Sequence, residues 1–328
     1  MAVQIGVIIH RPLCETLFAP ADRARLEGLG KVAWTQAEKP LTVPQAAELL
    51  KDCAVGVGSW GTPFPNAELL AACPKLKLWE HVAGTVKHMF GPHLEGRDLQ
   101  IASCAPAIAD SVAEFAVGEL IVGLRKIPEN AAANRAGPAP KPPGYRTVGT
   151  STIGIIGASQ VGRRVLRLLK PFGPTLLLYD PYVSEKEAAE LGARKVADVA
   201  GMCRACDAVT LHTPDLPETR HILGARELQA LPDHGVVVNT ARGNCLDEAA
   251  LIAELRKGRL FAFLDVSTPE PAAADSPLRR LPNVFYTSHH AGGPDTRLGR
   301  QAAEDIAAFL SGGKPKMAVT KEMLSRLA

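Results

Sequence analysis

The chain has 328 residues, with 37 Lys and Arg against 34 Asp and Glu, 46% hydrophobic and 22% charged residues, 29 Gly and 26 Pro. That length allows two domains, each with its own core, and a net charge of +3 from scattered basic residues leaves no footprint for nucleic acid or an anionic membrane. The apolar start "VQIGVII" lacks a basic flank and reads as a strand, and no apolar run reaches the ~18 residues of a membrane span, so the chain reads as cytoplasmic.

Predicted elements alternate from the start. The runs "VQIGVIIH", "KVAWT", "AVGVGSW", "LKLWEHVAG" and "LQIAS" are rich in β-branched residues and predict strands. Between them "ADRARLEGL", "TVPQAAELLKD" and "NAELLAACP" have helical periodicity, so the first hundred or so residues predict a parallel sheet covered on both faces. From about Ala109 a long helix follows, "IADSVAEFAVGELIVGLRKI", with Val112, Phe115, Ala116, Leu120 and Leu124 on one stripe. "AGPAPKPPGYRTVGT" must be loop.

A second series runs "TIGIIG", "TLLLYD", "DAVTLH", "GVVVNTA", "FAFLDV" and "NVFYTSH". Each but the last is followed by a helical or turn-rich crossover, which predicts a doubly wound sheet. The closing stretch "DTRLGRQAAEDIAAFLSGG" carries Leu298, Ala302, Ala303, Ile306 and Leu310 on one helical stripe and ends at a Gly pair. Lying beyond the second sheet, it is a candidate to return to the first domain. Cys14, Cys53, Cys73, Cys104, Cys203, Cys206 and Cys245 form no even framework and read as thiols. "CRAC" has C-x-x-C spacing without a second pair; it reads as small apolar helix residues before it reads as a metal or redox site.

"IGIIGASQVGRRVLRLL" joins a strand to an amphipathic helix through Gly157, Ser159 and Gly162. This is the dinucleotide fingerprint G-x-G-x-x-G with its middle glycine replaced by serine. The first glycine makes the tight turn, the last lets helix and strand pack closely, and exposed amides at the helix start hold a pyrophosphate. Serine is tolerable there if its φ stays negative, and its hydroxyl is a candidate to meet a phosphate oxygen. The next strand ends at Asp180, where a carboxylate accepts hydrogen bonds from ribose hydroxyls and repels a 2′-phosphate. "PYVSEK" brings no immediate arginine, so NAD is favoured over NADP. The competing reading is an ordinary structural turn.

Ligands of doubly wound proteins bind at the carboxyl ends of the strands. "VVVNTARG", "FLDVSTPEP" and "YTSHHAGG" place Arg242, Asp265, Glu270 and His289 at three such ends. With the nucleotide turn, "YDPY", "LHTPDLPETRHIL", "NTARG", "LDVSTPEP" and "LPNVFYTSHHAGG" in order, the chain resembles the D-isomer-specific 2-hydroxyacid dehydrogenases over nearly its whole length. The resemblance implies an α/β protein of two doubly wound parallel-sheet domains. A Rossmann NAD-binding domain, 104–291, would be inserted into a flavodoxin-like substrate domain made of 1–103 and a C-terminal helix within 292–328.

The implied function is an NAD-dependent oxidoreductase interconverting a D-2-hydroxy acid and its 2-keto acid, as a homodimer formed through cofactor domains and with no metal. Arg242 would bind the substrate carboxylate and carbonyl oxygen, and His289 would be the general acid/base. Glu270 would fix the imidazole tautomer and raise its pKa, and Asp265 would hold the nicotinamide. Gly157, Ser159, Gln160, Val161, Gly162, Asp180, Pro214, Thr219 and Thr240 would line the cofactor. The backbone amides of Ala83, Gly84 and Thr85 would receive the substrate carboxylate.

Three serines depart from the family pattern: Ser159 for glycine, Ser267 for a bulky aromatic, and Ser288 for proline. Glu270 stands where related formate dehydrogenases use glutamine, which argues against that activity. Trp60 is a candidate pocket wall, while Lys87 and His88 read either as readers of an extra anionic group or as a solvated loop. Cys245 reads as packing and not as a nucleophile, and His290 as a neighbour of the acting histidine. Each polar site residue also has a bland reading as an ordinary loop side chain. For the whole chain, the alternative is an NAD(H)-binding regulatory protein of the same fold acting through protein contacts; a thiol redox protein built on "CRAC" lacks the surrounding chemistry.

Overall fold

The computed structural model describes residues 3–325. The chain opens with β1 (Gln4–Val7), α1 (Arg11–Leu17), α2 (Pro20–Leu29), β2 (Lys31–Trp34), α3 (Val43–Leu50), β3 (Val55–Gly58), α4 (Ala67–Ala72), β4 (Leu78–His81) and β5 (Gln100–Ser103). Two helices follow, α5 (Ala105–Leu124) and α6 (Ile127–Ala136). The second series is β6 (Thr152–Ile156), α7 (Gln160–Leu169), β7 (Thr175–Tyr179), α8 (Glu185–Glu190), β8 (Arg194–Lys195), α9 (Val199–Ala205) and β9 (Ala208–Leu211). It continues with α10 (Ala225–Ala230), β10 (Gly235–Asn239), α11 (Glu248–Arg256), β11 (Leu260–Leu264) and β12 (Val284–Tyr286), and α12 (Thr296–Leu310) and β13 (Ala318–Val319) come last. Two compact units result: one of the residues up to Ile108 together with those from Gly293 on, the other Ala109–Gly292, with the boundary inside α5.

In the first unit the strand order is β13-β5-β4-β3-β1-β2, parallel except for β13, which pairs antiparallel to β5. Ile5, Val7 and Leu78 face a core completed by Leu298, Ala302, Ala303 and Ile306 of α12, all fully buried. Ile8 and Trp79 face the other core, with Leu50 of α3 and Leu69 and Leu70 of α4. Burial on both faces is why these strands read as near-continuous apolar runs. A polar knot crosses the first core: the Cys104 thiol donates to Glu80 Oε1 at 3.6 Å and Asp305 of α12 lies nearby. Burial, reinforced by the Asp305 charge, pushes Glu80 well above the usual carboxylate range.

The second unit has the order β12-β11-β10-β9-β6-β7-β8, all parallel. This is the doubly wound arrangement, and its order reverses at β6, between β7 and β9. Helix starts are closed by side chains expected at N-caps: Ser159 on α7, Ser184 on α8, Asp198 on α9 and Asp247 on α11. The elements that composition did not announce are α1, α6, β8 and β13. Helix α6 buries none of its residues and so has no apolar stripe to read, and β8 and β13 are two residues each.

Ile306 is fully buried on α12 against the first sheet. Truncation to Ile306→Ala removes buried methyl groups and leaves a cavity, so unfolding free energy falls by about 2–5 kcal/mol. A denaturant titration that finds a loss below about 1 kcal/mol contradicts this placement.

Candidate active site

Parallel pairing brings six strand ends to one level. Tyr179, Ile156, Leu211, Asn239, Leu264 and Tyr286 are successive cross-strand partners from β7 through β12. The nucleotide turn leaves β6 there, Arg242 follows β10, Asp265 follows β11, and His289 follows β12. Four strand spacings separate β6 from β12, roughly 19 Å.

At the nucleotide turn Gly157 has φ +97, and a Cβ there would stand 2.9 Å from the carbonyl oxygen of His212. A Cβ on Gly162 would stand 2.0 Å from the Gly157 carbonyl oxygen. Both glycines are therefore sterically required. Ser159 has φ −63, which meets the condition for a side chain in the middle position, and its hydroxyl accepts from the Gly162 N–H at 3.4 Å. It caps α7 instead of crowding the turn. Gln160 is exposed at the first turn of α7, and Val161 packs against the core.

Asp180 accepts from the N–H of Ala158 and of Tyr182, each at 2.8 Å, and each oxygen keeps a lone pair for a further donor. An arginine does come close, from α7 and not from the loop after β7: Arg163 Nε donates to Ala158 O at 2.9 Å while its NH2 pairs with Glu187 at 2.8 Å. Thr219 turns its hydroxyl back onto Pro214 O at 2.6 Å and so closes its own loop. Thr213 and Thr240, at the ends of β9 and β10, have buried hydroxyl oxygens with no partner. A cradle where a Cβ cannot fit, a carboxylate with spare lone pairs and orphaned hydroxyls fit a dinucleotide at this edge.

The histidine loop hangs from one carboxylate. Asp265 is 1% exposed. Its Oδ1 accepts from the Thr287 hydroxyl at 2.6 Å and the His290 N–H at 2.9 Å, and its Oδ2 accepts from the Ala291 N–H at 2.9 Å. The His289 N–H donates to Asp265 O at 2.8 Å. Asp265 is expected at the nicotinamide; the hydrogen bonds its carboxylate accepts come from the loop that carries His289, and its own N–H donates to Asn239 O at 3.0 Å. His289 takes φ 51, a left-handed conformation that a non-glycine residue rarely adopts, and its ring is about half exposed. Its Nδ1 bonds Glu270 Oε1.

The Glu270 loop is fastened separately. The Ser267 hydroxyl meets Pro269 O at 2.7 Å and Tyr286 OH at 3.0 Å, and that phenol oxygen accepts from the Ala272 N–H at 3.0 Å. The serine in the aromatic's usual place thus ties down the loop. Arg242 is half-buried, and the fully buried Asn239 clamps its turn by donating to Arg242 O at 3.0 Å and accepting from the Ala241 N–H at 3.0 Å. Cys245 is fully buried, and burial pushes its thiol up, which agrees with packing. Cys203 and Cys206 are buried in the second core, their thiols pushed up to about 12 by burial.

One residue of this region was not legible as polar machinery. Phe115, Glu119 and Gly123 lie at i, i+4 and i+8 on α5. Phe115 meets the His290 ring edge-on at 5.0 Å, and a Cβ on Gly123 would press on Val236 and Phe263. Glu119 is 9% exposed, and burial, then the Asp265 charge, pushes its pKa up to about 9. It sits beneath the histidine loop as a neutral acid. In the first unit, the Ala83 N–H donates to His81 O at 2.7 Å, so it is not available to a substrate. Among the described residues the N–H groups of Gly84 and Thr85 have no protein acceptor, and they are the unengaged amides of that turn.

The family model for the D-isomer specific 2-hydroxyacid dehydrogenase NAD binding domain matches residues 117–291. A D-3-phosphoglycerate dehydrogenase of Methanocaldococcus jannaschii is 32% identical over 88% of this chain and 55% of its own length. A glyoxylate reductase of Korarchaeum cryptofilum is 30% identical over 88% of this chain and 89% of its own. The chain therefore spans about half the length of the phosphoglycerate dehydrogenases it matches and most of the reductase. The solved 2-hydroxyacid dehydrogenase of Ketogulonicigenium vulgare Y25 superposes with a TM-score of 0.74 at 24% identity, over 97% of this chain and 99% of that one, and shows the shared fold. This chain belongs to the D-isomer-specific 2-hydroxyacid dehydrogenase family, and its second unit contains the family's NAD-binding domain.

A neutral Glu119 makes stability depend on pH. Its folded pKa of about 9 lies above its ordinary value of 4.5, so the folded state holds an extra proton, and stability is lost as pH rises through that interval. Glu119→Gln removes the titration. The variant is expected to gain on the parent by up to about 1.4 kcal/mol per pH unit within that window. Melting curves that run parallel from pH 5 to pH 9 contradict it.

Proposed function

We propose that this chain is an NAD-dependent oxidoreductase interconverting a D-2-hydroxy acid and its 2-keto acid. The observation that carries the reading is the His289–Glu270 pair on the same strand-end level as the Arg242 turn and the nucleotide turn. When bound at the nucleotide turn, the nicotinamide would supply a hydride to the carbonyl carbon. His289 Nδ1–H is committed to Glu270, which leaves Nε2 to carry the proton that the carbonyl oxygen takes up. In oxidation the same atom accepts the proton from the hydroxyl.

Glu270 fixes the tautomer and the orientation of the ring. Arg242 offers a forked set of donors to the carboxylate and carbonyl oxygens of the acid. In the first unit, the unengaged amides of Gly84 and Thr85 are assigned as donors to an anionic group. Asp265 is a positioning residue: it acts through the backbone of the histidine loop. Asp180 is assigned to the adenosine ribose, with Arg163 held away from a 2′-phosphate by Glu187.

Oxidation of NADH followed with glyoxylate, pyruvate, hydroxypyruvate and bulkier 2-keto acids tests the reading. His289→Ala is expected to lower kcat by about 10²–10⁴, the usual worth of a general acid, while NADH still binds. Tight NADH binding with no turnover of any acid overturns the enzyme and favours a regulatory protein of the same fold. For the cofactor, Asp180→Ala is expected to weaken NADH binding more than NADPH binding; equal losses in a fluorescence titration remove the ribose assignment.

A further inference from the structure

Four residues around the nucleotide turn form a chain of contacts. Asp180 Oδ2 accepts from the Ala158 N–H at 2.8 Å, and Ala158 O accepts from Arg163 Nε at 2.9 Å. The NH2 of Arg163 in turn pairs with Glu187 Oε1 at 2.8 Å. One residue of backbone therefore separates a guanidinium from the carboxylate assigned to the ribose, and a second carboxylate stands behind that guanidinium. Arg164, the neighbouring cation on α7, is committed elsewhere: its Nε pairs with Asp110 and its NH1 donates to Gln160 O at 3.0 Å.

The segment that carries Glu187 is fastened at several points. The Tyr182 N–H donates to Asp180 Oδ1 at 2.8 Å, Lys195 Nζ donates to Val183 O, and Ser184 Oγ accepts from the Glu187 N–H at 3.1 Å. Ser184 thereby caps α8 and sets Glu187 in its first turn, where the helix dipole also favours a carboxylate. The side chains of Arg163 and Glu187 are each 38% exposed, and an ion pair so open to water adds little to stability. Its consequence is one of charge. A phosphate on the ribose 2′ oxygen would meet Asp180, and the guanidinium next to it is already neutralised by Glu187.

We infer that Glu187 is a positioning residue for cofactor choice: by holding Arg163 on the nucleotide turn and neutralising it, Glu187 withholds from a 2′-phosphate the cation that would otherwise bind it. Arg163 is a latent phosphate ligand, and the preference for NAD rests on two carboxylates and not on Asp180 alone. The inference rests on the assignment of Asp180 to the ribose and deepens it. A guanidinium presents forked donors that match phosphate oxygens, so its release changes both the charge and the hydrogen-bonding capacity of this edge.

Fluorescence titration of the full chain with NADH and NADPH tests this, read as the ratio of the two affinities. Glu187→Gln keeps the size of the side chain and removes its charge; it is expected to move the ratio toward NADPH by at least about threefold. In an Asp180→Ser background, where direct repulsion is gone, the same change is expected to be worth roughly tenfold. Adding Arg163→Gln is expected to abolish most of the shift, because the guanidinium is the group that meets the phosphate. The shift is also expected to shrink as salt is raised, since both side chains are partly exposed.

A ratio that Glu187→Gln leaves unchanged in both backgrounds overturns the inference while the ribose assignment stands, and so does a shift that survives Arg163→Gln in full. A pair that only ties α8 to α7 would move both affinities together and leave the ratio where it was. Equal binding of NADH and NADPH by the wild type removes the ribose assignment and this inference with it.

Discussion

The candidate site depends on one buried carboxylate. Asp265 is the first residue after β11, and it accepts from the Thr287 hydroxyl and from the amides of His290 and Ala291. Hydrogen bonds to a charged acceptor contribute about 1.5–3 kcal/mol each, whereas a non-glycine residue in the left-handed region costs about 1–3 kcal/mol. The carboxylate outweighs the strain, and His289 is held at φ 51. That conformation turns the imidazole toward Glu270, whose own loop is fastened by Ser267 and Tyr286. Two loops from adjacent strands are thus fixed independently, and the histidine–carboxylate pair is where they meet.

A buried anion restricts its neighbours. Glu119 lies close enough to Asp265 to feel its charge, and two ionised carboxylates cannot share such a place without a cation. With its pKa pushed up to about 9, Glu119 holds its proton near neutral pH, and Glu80 beside Asp305 is shifted in the same direction. In both places burial is the larger cause of the upward shift and the nearby carboxylate the smaller.

The fold was legible because its chemistry is repetitive. Parallel strands buried on both faces must be apolar throughout, so β6, β7, β9, β10 and β11 stand out as runs bounded by turns. Helix α6 and the two-residue strands β8 and β13 left no such trace. Within the site, the residue types Arg242, Glu270 and His289 were visible at strand ends, and the pairing of the last two is present in the structure. That Asp265 accepts from its neighbouring loop was not legible, because a carboxylate after a strand looks the same whether it faces a ligand or a loop. Glu119 was hidden in an apolar helix, and Arg163 was missed because its approach to Ala158 comes from the helix and not from the strand end. Ala83 was taken as a free amide, although its N–H is spent on His81 O.

What the sequence by itself determined is the alternation of strands and helices, the glycine cradle and the order in which reactive side chains leave the second sheet. These follow from nearest-neighbour chemistry: apolar period, turn-forming residues, the positive φ of Gly157 and the close approach of Gly162 to the Gly157 carbonyl. Only the tertiary structure decided which polar atoms are already engaged. Hydrogen bonds such as those that Asp265 accepts from residues more than twenty positions away depend on strand register, and burial sets whether Glu119 or His81 carries charge. Availability of a donor or a charge is a property of the packed surroundings, and residue identity does not contain it.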